Sequence, residues 1–343
     1  MSIQIVLQQM LIIFILILTG AFLYHRKIIS SDTSAQLSSM VIHLCNPAHL
    51  IHSAISSESR ISLQHLLTAM ALTLMTYGIL ILCSYLLPRL LKIPDGEVFC
   101  YRLLTVYGNV GFIGIPLVSA VLGSSALIYV SLNNLVYNIL IYTHGFSVIQ
   151  NRCASSCGLM SQEPAEASIQ IRPAPPAADH ASRRRSISFS GLISGGKKFI
   201  NPGTVSAMIT IFLYLTNIRL PVLIEEPLYY IGRSTTFLSM LILGVSIARM
   251  SPAQIFSNFR LYPFLFLRLT LLPVLCSFLF RIFTQDALLL RTLILLMAVP
   301  AGNMPLILAR QHKIEAETLS QGILLSTILS LITIPVVIFL GSG

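Results

Sequence analysis

Residues 107–123 read YGNVGFIGIPLVSAVLG, and residues 297–311 read MAVPAGNMPLILARQ. Each is an apolar run interrupted by small, polar and ring residues: Asn109, Gly111, Gly114 and Pro116 in the first, Pro300, Gly302, Asn303 and Pro305 in the second. Proline has no N–H, and its ring collides with the carbonyl four residues back, so a helix running through either stretch is predicted to break there. Glycine loosens the backbone at the same points. In hydrocarbon the freed N–H and C=O groups are costly unless they meet protein partners or line a polar cavity. The two stretches therefore predict two broken membrane helices with a polar space beside them.

The stretches are copies of one pattern. At an offset of 189 residues Arg102 falls on Arg291, Val110 on Val299, Pro116 on Pro305, Ala120 on Ala309 and Ser131 on Ser320, without a gap. Matches among apolar residues arise often by chance, so the paired Arg and Pro carry the argument. The match is incomplete, because Ala298 stands where the first copy has Asn109.

Working outward, ten apolar segments are predicted: 3–23, 35–55, 63–87, 99–122, 126–149, 202–220, 228–248, 261–283, 287–309 and 315–340. A span needs roughly 20 apolar residues to cross a core about 30 Å thick, and the 343-residue chain has room for ten once its polar middle is set aside. Composition agrees. The chain is 55% hydrophobic and 10% charged, against about 25% charged in a typical soluble domain. Such a chain cannot clothe a water-soluble enzyme, and no nucleophile, base and orienting acid converge on any segment. The first segment has neither a basic flank nor a small-residue cleavage site, so it is predicted to be retained.

The net charge of +10 is predicted to label topology rather than to bind nucleic acid. If the N-terminus lies outside, 15 of the 22 Lys and Arg fall in cytoplasmic loops and 3 in external ones. Both termini are then external, and a linker at 150–200 is cytoplasmic. That linker carries Pro164, Pro173, Pro175 and Pro176 among many Ser and Ala with no apolar period, and is predicted to be disordered. It holds Cys153 and Cys157, which have no His at metal-site spacing, and Arg183-Arg184-Arg185-Ser186, read as a tether with a candidate kinase site. It divides the chain into five helices at 1–149 and five at 201–343. Because five is odd, the two copies insert in opposite senses. The predicted fold is an all-α polytopic membrane protein of two inverted five-helix repeats, with broken helices 4 and 9, an architecture typical of secondary transporters.

Here the sequence resembles a known family. Residues 107–123 look like the fourth-helix motif of the auxin efflux carrier family in its bacterial branch, and residues 297–311 are similar to its ninth-helix motif. The resemblance covers nearly the whole chain except the linker. It implies that helices 4 and 9 cross in a transport group beside a scaffold of helices 1, 2, 6 and 7, and that the scaffold forms a homodimer in the bacterial inner membrane. It also implies secondary transport of small organic anions, such as the auxin exported by plant members or the malate and malonate linked to bacterial ones. By position Asn109 and Pro116 belong to the first crossing, and Pro300, Asn303 and Pro305 to the second.

No Asp or Glu lies deep in an apolar segment, which argues against a cation antiporter built on a buried carboxylate pair and suits an anionic substrate. Asn134 and Asn138 share a face of helix 5 at i,i+4 spacing and are candidate walls of the site. His43, in the middle of helix 2 near Asn46-Pro47, is a candidate proton relay. Arg233 lies near a helix end, where a charge snorkels; the deeper Arg268 either pairs an anion or snorkels. No metal or cofactor is expected. Two other functions stay open: a sodium- or proton-coupled symporter of the bile-acid type, and a transporter-like ligand sensor signalling through the linker.

Overall fold

The computed structural model describes residues 3–55, 62–152 and 202–341, apart from Asn217, Arg219, Met250, Lys313 and Glu315. The linker beyond Arg152, with Cys153, Cys157 and Ser186, therefore lies outside the described residues. Among the described residues there is no strand; the one sheet-like pairing is an isolated bridge between Gly108 and Ala301. The chain is an all-helical, multi-pass membrane protein.

Its helices fall on the ten apolar segments. They are α1 (Ile3–His25), α2 (residues 31–55), α3 (Leu63–Leu90), α4 (Val98–Val106, then residues 110–122), α5 (Ser124–Arg152), α6 (Pro202–Thr216), α7 (Val222–Ala248), α8 (Leu261–Phe280), α9 (Ala287–Ala298, then Met304–Gln311) and α10 (Glu317–Gly341). Five of them, α3, α5, α7, α8 and α10, are long and apolar enough to cross a bilayer uninterrupted. Helix α6 stops at Thr216, four residues before the predicted end. A short helix, Pro252–Phe256, was not foreseen. Its signal was present, since Ser251 and Gln254 form a reciprocal capping box with Pro252 in the first turn.

Four helices contain a π-type turn: Val41–Cys45, Val110–Gly114, Ile141–Gly145 and Leu267–Leu271. Three of them end two residues before a proline, namely Pro47, Pro116 and Pro273. The wider turn moves the carbonyl that the proline ring would strike, so the helix continues instead of stopping. This is why Asn46-Pro47 leaves α2 unbroken.

The interior is largely apolar with polar side chains set into it, and the outer surface of the bundle is apolar too. Leu67, Leu74 and Leu82 of α3, Phe22 of α1 and Phe212 of α6 are exposed, whereas Thr73, Thr76, Ser131, Asn133, Ser326 and Thr327 are buried. Lipid solvates the first set; in the second the hydroxyls bond within their own helices, and Asn133 and Ser326 also bond across to neighbouring segments. Tyr77 donates to Asn133 Oδ1 at 3.0 Å, and most buried hydroxyls donate to a carbonyl one turn back, as Thr76 does to Leu72 at 2.8 Å. Helix α1 lies along α7, which also packs on α2, while α6 bridges α2 and α5. At the α1–α7 contact Gly20 faces the carbonyl of Leu241 and Gly244 faces that of Ile17, with no room for a methyl group at either.

Candidate functional site

The two broken helices cross at their breaks. The first half of α4 ends at Val106, and that of α9 at Ala298. Between them the extended backbones pair: Asn109 N donates to Pro300 O at 2.7 Å, and Gly302 N donates to Tyr107 O at 2.9 Å. Ala301 N donates to Ser326 Oγ of α10 at 3.1 Å. The unpaired groups that proline and glycine create are thus satisfied by protein, as hydrocarbon demands. Close approach is enforced by glycine, because a methyl on Gly302 would lie 2.9 Å from Gly108 O.

Asn109 begins the second half of α4. Its Oδ1 accepts from Phe112 N at 3.2 Å, and its carbonyl accepts from Ile113 at 3.1 Å and Gly114 at 2.9 Å. This is the capping role for which Asn is preferred. With Oδ1 committed to the cap, Nδ2 is left as a donor, and it has no partner although Asn109 is 4% exposed. On the α9 side the carbonyl of Asn303 accepts from Ile307 at 3.0 Å. Both second halves therefore present amino ends, with partial positive charge, to the crossing.

Beside the crossing lies a cavity of about 390 Å³. It brings together five of the nine predicted binding residues, Asn109, Gly111, Asn134, Asn138 and Asn303, with His43 at its edge. Gly114, Pro116, Pro300 and Pro305 do not line it. Three of them shape the backbone: Gly114 and Pro116 make the π turn and helix restart of α4, and the Pro300 carbonyl pairs the two extended segments. Asn138 donates from Nδ2 to Asn134 O at 2.7 Å and to its Oδ1 at 3.0 Å, and Asn134 donates to Gly203 O of α6 at 3.4 Å. Another asparagine of α5, Asn133, turns away to Tyr77.

Sequence reasoning missed Asn46, Tyr137, Tyr142 and Ser206, which also line the cavity. Asn46 Oδ1 is buried without a partner. Its signal was the Asn-Pro pair, the same chemistry that marked α4. Tyr137, Tyr142 and Ser206 had none, because only the packing of α5 on α6 brings them there.

A second cavity of about 540 Å³ shares Ile42, His43, Asn303 and Ile307 with the first. It runs toward the start of α2 and the end of α7, lined by Ser31, Ser34, Ser38, Ser39, Ser246 and Ser320, with Arg249 at its rim. His43 is exposed where the two meet. Its Nδ1 lies 2.8 Å from the Ser39 carbonyl, which can only accept, so the neutral ring carries its proton there and keeps Nε2 as an acceptor.

Arg268 corrects the sequence reading. It neither lines the cavity nor snorkels: it is 1% exposed, its Nε donates to Thr105 O at 3.2 Å and its Nη1 donates to Met297 O. Arg233 is exposed, as expected, and donates to Tyr229 Oη at 2.7 Å, but it is not at a helix end, because α7 starts at Val222, about three turns earlier. No cluster of metal-ligating side chains occurs among the described residues.

Crossed helix breaks beside a largely apolar cavity with five asparagines on its wall, inside an apolar bundle, define the class of membrane transporters with discontinuous helices. The profile described as membrane transport protein matches residues 5–338, and the chain belongs to that family, the auxin efflux carrier family. None of the curated proteins compared with the chain matches it.

Proposed function

We propose that this transporter is a secondary carrier or uniporter of a small organic anion, a mono- or dicarboxylate, working by alternating access. The observation that carries the reading is the free Nδ2 donor of buried Asn109, at the amino end of a half-helix, in a cavity with no Asp or Glu on its wall. A carboxylate oxygen satisfies that donor and meets partial positive charge from the half-helix. A cavity of about 390 Å³ lies within the range of small-molecule sites, about 300–1,000 Å³, and has ample room for a few-carbon acid.

The proposed architecture is the inverted pair of five-helix repeats, 1–149 and 201–343, with α1, α2, α6 and α7 as scaffold and dimer face, and the other helices as the moving group. The cavity lies between the two, bounded by α2 and α6 on one side and by α4, α5 and α9 on the other. Both termini are proposed to be external. The serine-lined cavity then opens to the cytoplasm, and the conformation is inward-facing.

Flux into proteoliposomes tests this. Asn303→Ala should cut uptake of a small dicarboxylate. Asn109→Asp keeps a good helix cap but replaces the donor by a negative charge, so it should fold and lose uptake by roughly tenfold or more, the cost of a lost charge-assisted hydrogen bond. Wild-type uptake in both variants would overturn the site assignment.

A further inference from the structure

Among the described residues Arg268 is the only Arg, Lys, Asp or Glu that is buried. A charge at membrane depth is expensive, and its surroundings must repay the cost. Its hydrogen-bond partners are Thr105 O and Met297 O, one from the last turn of each first half-helix. Those turns carry the unsatisfied carbonyls and partial negative charge of a helix carboxyl end. Arg268 sits in the π turn Leu267–Leu271, which changes the direction of the side chain relative to a regular helix. Its Nη2 comes within 3.4 Å of where a methyl on Gly108 would stand, and Gly108 itself lines the central cavity. One glycine therefore separates the guanidinium from the cavity.

In transporters with discontinuous helices, such carbonyl ends are where a coupling cation is held. We propose that Arg268 is the fixed counter-cation of the crossing: a positioning residue that neutralises both carboxyl ends and leaves the cavity with a net positive field that selects for anion charge. The proposal rests on the reading of the cavity as an organic-anion site. It assigns to α8, which contributes no wall to that cavity, control of how strongly a ligand's charge is felt there.

The test compares a dianion with a monoanion, radiolabelled malonate and lactate, in proteoliposomes carrying wild type, Arg268→Gln or Arg268→Lys, with thermal unfolding in detergent measured alongside. Arg268→Gln should raise KM for malonate by roughly tenfold or more, the worth of hydrogen bonds to a charged group, and raise KM for lactate distinctly less. Arg268→Lys, which keeps the charge, should restore most of the malonate affinity. A merely structural role moves both substrates together, so equal KM shifts for malonate and lactate would overturn the proposal, as would a Lys variant as defective as the Gln variant. Wild type that takes up neither acid would overturn the anion reading itself. Wild-type uptake with an unchanged KM in Arg268→Gln would overturn only the role of Arg268.

Discussion

At His43 the nearer of two contacts to Ser39, the carbonyl at 2.8 Å rather than the hydroxyl at 3.3 Å, sets what the neutral side chain can do. With Nδ1 held by the Ser39 carbonyl, neutral His43 is an acceptor through Nε2, and proton uptake turns that atom into a charged donor beside both cavities. The other titratable or charged groups on the cavity walls are Tyr137 and Tyr142 of α5 and Arg249 just after α7. His43 is the candidate proton carrier beside the anion site, so replacing it should uncouple uptake from a proton gradient. His43→Gln should take up anion with no response to an imposed proton gradient. Uptake measured with and without the gradient checks this, and an unchanged response in the variant would remove His43 from the coupling path. The same scale explains what could be read from the sequence. Asn109, Asn134, Asn138 and Asn303 were legible because amides in apolar helices have few reasons to be there. Arg268 was visible but not its aim, which depends on the π turn and on two carbonyls far away in sequence.

Elements were legible in proportion to how chemically they are written. The ten apolar segments have helices at each, and the Pro and Gly clusters coincide with the breaks of α4 and α9. Proline alone did not predict a break. Pro47 and Pro273 are absorbed by π turns, whereas the stretches around Asn109 and Pro300 open fully because glycines let two backbones meet and pair. The crossing therefore depends on Gly302. Gly302→Ala places a methyl 2.9 Å from the Gly108 carbonyl, and forcing the strands apart should cost about 1–3 kcal/mol, as overpacking does elsewhere. Gly78 of α3 is the control, with nothing within 4 Å of an added methyl. Gly78→Ala should be neutral or stabilising by up to about 1 kcal/mol, because alanine is the better helix former. Thermal unfolding in detergent should come at a lower temperature for Gly302→Ala and at an unchanged or higher one for Gly78→Ala. A Gly302→Ala protein as stable as wild type would mean that the crossing is looser than its hydrogen bonds imply.

For the whole molecule, the charge count and the cavities meet in one prediction. By the positive-inside rule the start of α2 and the end of α7 are expected on the cytoplasmic side, and the serine-lined cavity runs to that end, past Ser246 and Ser320, from the central site. Neither statement depends on the other: the expectation comes from loop Arg and Lys, the cavity from packing that no sequence pattern announces. If both hold, a cysteine placed at Ser320, in a background without the six native cysteines, is reached by a membrane-impermeant maleimide in inside-out vesicles and not in right-side-out ones. Alternating access adds a second expectation. A saturating dicarboxylate that fills the cavity at Asn109 and Asn303 should slow labelling at Ser320 by occupying or closing the path beside it. Asn109→Asp, which is predicted not to hold the anion, should lose that protection while its basal labelling rate stays the same. Labelling from the opposite side would reverse the orientation. Protection that survives in Asn109→Asp would place the anion in the serine-lined cavity rather than at the crossing.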